Sequence, residues 1–248
     1  MPRILGLEVA NTSYAEVVDK AVGWALRAES RSLVFANVHV VMEAFDNASL
    51  SDSLNKVDIT SPDGVPLVWA LKLLGYKSAS RVYGPDCTLL LLAAAEANHL
   101  PIALYGGSEQ GLTLLRQVLA ERFPALTVAA AISPPFRPLT ASENEEHVRT
   151  LAASGARFVF VGLGCPKQEQ WMMQNYMHIP AVTCAVGAAF DFIAGTKPQA
   201  PRWMMRSGLE WLFRFSTEPM RLYKRYMKQN PRFVFYFLRQ LSNRSKHI

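Results

Sequence analysis

Residues 158–176 read FVFVGLGCPKQEQWMMQNY. Four apolar residues run without alternation into Gly162 and Gly164, and Pro166 then opens a polar stretch of helical length. A short unbroken apolar run fits a strand buried on both faces, as in a parallel sheet, and a glycine turn followed by proline is how such a strand hands over to a helix. The same unit recurs at 102–111, IALYGGSEQG. Working outward, the pattern predicts strands at 33–38, 57–59, 102–105, 127–132, 158–161 and 182–186, with helices at 65–74, 86–98, 109–123, 142–154 and 167–176. Strands alternating with helices predict an α/β fold with a largely parallel sheet flanked by helices. The segment 133–140, SPPFRPLT, holds three prolines and reads as a loop.

The composition agrees with a folded body. Of 248 residues, 50% are hydrophobic and 19% charged, so disorder is excluded. Three cysteines, in no CxxC spacing, offer neither a disulfide framework nor a zinc site. The expected compartment is a reducing one. No apolar stretch reaches the roughly 18 residues of a spanning helix, and the first residues lack the apolar core of a signal peptide.

The net charge of +6 is unevenly placed. From Arg202 onward, eight Arg and three Lys stand against Glu210 and Glu218, a net +9, which leaves −3 for residues 1–201. The sequence GTKPQAPRW at 195–203 breaks the α/β pattern. It sets the expected division into a catalytic domain, 1–200, and a helical appendage, 201–248. On a helical projection Leu222, Met220, Tyr223, Tyr226 and Met227 share one side while Arg221, Lys224, Arg225 and Lys228 share the other. Pro231 is expected to start a further helix. A basic amphipathic helix with aromatics suits an anionic bilayer surface; packing of its apolar side on the core is the plainer alternative. No RNA- or DNA-binding motif accompanies it, so nucleic acid is not an expected partner.

Several residues fall where a strand ends, the place at which open α/β sheets bind ligands. Gly106 and Gly107 can present backbone N–H groups to phosphate, or simply make a tight connection. Lys167 can neutralise a phosphate and Gln168 can bond a sugar or a base, with Glu169 beside them, although Pro166 with a polar first turn explains them too. Asp63, in TSPDG at 60–64, is either a turn residue or a general base. Arg81 can pair with a carboxylate or a diphosphate. Asn37 can hold a substrate hydroxyl or cap a helix. Asp191 can line the site or hold the Gly195 turn, and His39 reads as a packed histidine rather than a catalyst. Cys165 has no histidine near it in sequence to activate it. No GxGxxG motif opens a strand–helix unit, which disfavours a nicotinamide-dependent oxidoreductase.

The order Asn37, PDG at 62–64, RVYGPD at 81–86, YGG at 105–107, VGLGCPKQE at 161–169, VGAAFDFIAG at 186–195, AP at 200–201, GLEWLFR at 208–214 and EPMR at 218–221 resembles the WecG/TagA/CpsF family of bacterial glycosyltransferases. The resemblance implies a Rossmann-like domain and a membrane-meeting C-terminal appendage. It implies inverting, metal-independent transfer of an N-acetylmannosamine-type or glucose-type sugar from a UDP donor, itself a substrate and not a cofactor. The implied acceptor is an undecaprenyl-diphosphate-linked saccharide on the inner face of the plasma membrane, used for cell-surface polysaccharide or teichoic acid. By the same resemblance Asp63 is the general base and Asn37 lies on the acceptor side. Gly106, Gly107, Lys167, Gln168 and Glu169 belong to the donor pocket, and Arg214 and Arg221 of the appendage meet diphosphate. Coupling to the membrane through a homo-oligomer is a further expectation. The alternative is a non-catalytic module that binds a nucleotide-sugar or a lipid diphosphate.

Overall fold

A computed structural model of the chain describes residues 1–245, with the side chains of Arg206, Arg221, Lys224, Arg225, Arg244 and Ser245 outside the described set. In chain order the elements are β1 (Arg3–Ile4), β2 (Leu7–Glu8), α1 (Tyr14–Leu26), β3 (Arg31–Ala36), α2 (Val38–Asp46), α3 (Ala48–Leu54), β4 (Ile59–Pro62), α4 (Val65–Leu73), α5 (Gly84–Ala97), β5 (Ile102–Gly106) and α6 (Glu109–Arg122). They continue with β6 (Val128–Ile132), α7 (Ala141–Ala153), β7 (Phe158–Gly162), α8 (Lys167–Asn175), β8 (Val182–Ala185), α9 (Ala189–Ile193), α10 (Arg202–Arg206), α11 (Glu210–Thr217) and α12 (Pro219–Ser245).

Six strands form one sheet in the order β4-β3-β8-β7-β5-β6, and each of their pairings is parallel. The fold is therefore α/β around a parallel sheet, as the apolar runs require. Successive residues of a strand point to opposite faces. Leu33, Phe35, Phe158 and Phe160 pack with α1, α5 and α6 on one face. Val34 and Ala36 join α2, α3 and α4 on the other, and Val159 and Val161 meet Trp171 of α8 there. Burial on both faces is why β5 and β7 read as unbroken apolar runs, while the edge strand β6 is partly exposed.

Several boundaries differ from the sequence reading. The strand expected at 57–59 is Ile59–Pro62, and the one expected at 33–38 stops at Ala36. The β-branched run VHVV at 38–41 favours a strand locally. Asn37 turns it into α2 by accepting hydrogen bonds from the His39 and Val40 amides at 3.0 and 3.4 Å. Helix α2 then buries Val40, Val41 and Met42.

Pro231 does not start a new helix. It lies inside α12, which runs unbroken from Pro219 to Ser245. An interior proline costs about 3 kcal/mol. Phe233 and Phe237 offset that cost by packing into the core cluster that holds Val41 and Met42, each burial being worth about 1.5–3 kcal/mol. Leu222, Gln229, Phe233 and Phe237 make the inward stripe of α12. The apolar side expected from the projection is thus divided. Leu222 turns in, whereas Met220 is 92% exposed and Tyr223, Met227, Phe235 and Leu238 also face out.

Some of the C-terminal positive charge is matched internally. Arg232 reaches Asp46 at 2.6 Å and Arg202 reaches Asp86 at 2.7 Å.

Candidate active site

Because the sheet strands are parallel, their C-terminal ends share one edge, and the loops leaving that edge carry Asn37, Asp63, Gly107, Gln168 and Gly187. Asp63 is held from three sides. Its amide donates to the Ala36 carbonyl at 2.8 Å, its carbonyl accepts from Arg81 Nε, and its Oδ1 accepts from the Gly84 amide at 2.9 Å. Gly64 favours this approach, since a Cβ there would lie 3.3 Å from Asn37 Cα, tighter than ordinary contact.

Arg81 is anchored in turn. It donates to the Met205 carbonyl at 3.2 Å and to Glu210 Oε2 at 2.6 Å, and its guanidinium lies 4.3 Å over the Tyr83 ring. Of the two partners foreseen for Arg81, a carboxylate is the one it holds. The pair ties α11 to the Asp63 loop. Burial drives the Asp63 pKa above the ordinary carboxylate value, with Arg81 opposing the rise and Glu210 adding to it. Asp63 remains half-exposed because cavities reach it, while protein encloses it otherwise.

Two cavities meet at this carboxylate. The first, about 220 Å³, opens between α4, α11 and α12 and is walled by Trp69, Trp211, Tyr226 and Phe233. The second, about 380 Å³, lies over the strand ends and is lined by Gly84, Gly164, Gln168, Glu169 and Gly187. Asn37, His39, Asp63 and Arg214 border both. Arg214 reaches them from α11, its guanidinium 5.6 Å over the Phe192 ring.

The PKQE motif divides between cavities. Gln168 and Glu169 turn inward, 6% and 1% exposed, into the second cavity. There Gln168 Oε1 accepts from the Gly164 amide at 3.0 Å and its Nε2 donates to Glu169 Oε1 at 2.9 Å. Lys167 instead lines a third cavity of about 540 Å³ beneath the proline-rich loop, with Gly107 and Asp191. Asp191 lines that cavity and pairs with Lys197 at 2.7 Å, while its carbonyl accepts from the Thr196 amide beside Gly195. Gly106 borders none of the three. A Cβ on it would fall 2.6 Å from the Gly162 carbonyl carbon, so its glycine serves the close crossing of β5 and β7. Arg221 lies on α12 with its side chain outside the described residues. Among the described residues no three His, Cys, Asp or Glu side chains group as a metal site would.

Sequence reasoning read His39 as a packed residue and did not single out Gln229 or the aromatic wall. Trp211 sits in GLEWLFR and was visible; Gln229 carries no local signal, because only the docking of α12 brings it to the site.

Residues 2–247 match the profile of the glycosyl transferase WecG/TagA/CpsF family. The chain belongs to this family. It is 28% identical over 204 residues, 82% of this chain and 76% of the relative, to an N-acetylglucosaminyldiphosphoundecaprenol N-acetyl-beta-D-mannosaminyltransferase of Bacillus spizizenii. A WecG/TagA/CpsF glycosyltransferase must bring a donor and an acceptor to one point. Two cavities converging on one enclosed carboxylate are a geometry that suits that task.

Proposed function

We propose that this WecG/TagA/CpsF enzyme transfers a hexose or N-acetylhexosamine from a UDP-sugar to a GlcNAc-diphosphoundecaprenol-type acceptor, with inversion and without a metal. The observation that carries the reading is the position of Asp63 where a polar cavity at the strand ends meets an aromatic cavity under α12. The relative acts on a diphosphoundecaprenol-linked sugar, as its name states, which supports the acceptor class.

In this reading the donor sugar and diphosphate occupy the second cavity, and the nucleoside extends toward Gly107, Lys167 and Asp191. The acceptor sugar enters the first cavity with its lipid toward Trp69 and Trp211. Asp63 takes the proton of the acceptor hydroxyl as that oxygen attacks the anomeric carbon, and UDP departs from the opposite face. One displacement inverts the centre. The chain has no Asp-x-Asp pair, so the charge growing on the departing diphosphate is met by backbone amides of the glycine turns and by Arg214. The test is UDP release from a panel of UDP-sugars with a short-chain GlcNAc-diphosphate lipid, and the anomer of the product. UDP binding without acceptor-dependent release would reduce the protein to a binding module.

Among the described residues no helix is long and apolar enough to cross a membrane. We place the enzyme on the inner face of the plasma membrane, with the outward apolar residues of α12 in the lipid headgroup region. Met227→Asp combined with Phe235→Asp is expected to weaken co-sedimentation with phosphatidylglycerol vesicles at least about tenfold, each side chain contributing about 1.5–3 kcal/mol when buried. Unchanged binding would remove α12 from the membrane contact.

A further inference from the structure

Where α12 crosses α2, three polar side chains share one interface. Gln229 of α12 is buried, its Oε1 lies 2.6 Å from His39 Nδ1, and its Nε2 donates to Glu43 Oε1 at 2.9 Å. Glu43 Oε1 is also 3.4 Å from His39 Nδ1. The chemistry of these groups sets their orientation. A carboxylate only accepts, so the Gln229 amide nitrogen faces Glu43 and the amide oxygen faces the histidine. An amide oxygen also only accepts, so His39 Nδ1 carries the ring proton. In the neutral ring Nε2 is then the accepting nitrogen, on the side of the ring away from Gln229.

This ring sits on the wall common to the two cavities, beside Asn37 and Asp63. Helix packing alone does not call for such an arrangement, since three apolar side chains would join the helices without desolvating a carboxylate and an amide. The gain is a single ring orientation at the point where substrates meet. Gln229 and Asn230 line only the first cavity, the one read above as the acceptor cleft, and they form a polar margin beside its aromatic wall.

We propose that His39 contacts the acceptor, its Nε2 accepting a hydrogen bond from an acceptor-sugar hydroxyl next to the attacking one, and that Gln229 and Glu43 are positioning residues that hold the ring. Asp63 remains the base. The docking of α12 thereby enters the reaction through the acceptor's alignment as well as through the membrane. The inference rests on the assignment of the first cavity to the acceptor.

The test uses the full chain, a UDP-sugar donor and a short-chain GlcNAc-diphosphate lipid. His39→Phe is expected to lower kcat/KM for the acceptor about a hundredfold while the donor KM stays within about twofold, the size of effect that a misaligned reactant produces. Gln229→Leu is expected to lower the same ratio about tenfold, and the double variant should be no worse than His39→Phe alone, because coupled residues do not add. Glu43→Gln with Gln229→Glu keeps the acceptor facing His39 Nδ1 and restores the bond between the two side chains with its direction reversed, and should recover most of the loss of Gln229→Leu. Should His39→Phe lower the melting temperature until the chain unfolds, Gln229→Leu and the exchanged pair carry the test. Acceptor kinetics within twofold of wild type for His39→Phe, additive losses, or equal changes in both KM values would each overturn the proposal. Wild-type protein with no acceptor-dependent turnover overturns the glycosyl-transfer reading itself, and this inference with it.

Discussion

Asp63→Asn is expected to lower turnover at least about 10³-fold while leaving UDP affinity unchanged, since a positioned general base contributes about 10²–10⁴ to rate. The amide can still accept from the Gly84 N–H, so the loop around residue 63 keeps its hydrogen bonds. What it loses is the ability to take a proton. Stability should hold or rise. The native carboxyl has its pKa raised by burial, so between its ordinary value and the raised one the native state binds more protons than the unfolded state. Native stability therefore falls as pH rises through that interval, and asparagine abolishes the fall. Turnover of the variant measured beside its urea-unfolding curve at two pH values separates these effects. Near-normal rates would remove Asp63 from the mechanism.

The second large effect concerns the ion pair that ties α11 to the Asp63 loop. Arg81→Gln leaves the Glu210 carboxylate, 13% exposed at its side chain, without its cation, and a broken buried pair costs about 3 kcal/mol or more. Activity should fall with it and shift in pH. Arg81 lowers the Asp63 pKa and Glu210 raises it, so the two partners must move the acid limb of the rate profile in opposite directions. Losing Arg81 moves that limb to higher pH, because Asp63 then stays protonated longer. Glu210→Gln moves it to lower pH while Arg81 keeps its bond to the Asp63 carbonyl. Shifts of the same sign for both variants would show that the limb belongs to another group. A melting temperature unchanged in Arg81→Gln would show that the pair does not hold α11.

The parallel sheet was legible because a strand buried on both faces leaves an uninterrupted apolar run, and each such run in 102–161 ends in the glycine or proline its turn needs. The helix α2 was legible only as the capping alternative for Asn37. Its β-branched residues favour a strand, and a single cap at Asn37 with burial under α12 decides otherwise. Pro231 misled for a related reason: an isolated helix would tend to break there, but two buried phenylalanines offset the cost and the helix continues. Among the candidate residues, Gly107, Asp63 and Asn37 could be singled out because parallel strands deliver their C-terminal ends to one edge. Which cavity each side chain enters was hidden. Lys167 and Gln168 are neighbours in sequence, yet side chains on successive helical residues point about 100° apart, one into the cavity under the proline-rich loop and the other into the cavity at Asp63.

The charge asymmetry shows the same division. Counting residues establishes a basic C-terminal segment on a mildly acidic body, and only the folded chain shows Asp46 and Asp86 of that body answering Arg232 and Arg202. By itself, then, the sequence determined the fold class, the family resemblance and the edge of the sheet where the candidate residues gather, because these rest on periodicity and turn chemistry that act within a few residues. The tertiary structure alone decided that Arg81 is held by Glu210, that Asp63 lies between two cavities, and that Gln229 meets His39. Those contacts join residues more than a hundred positions apart or depend on which faces are buried, and nothing local in the chain encodes where such partners meet.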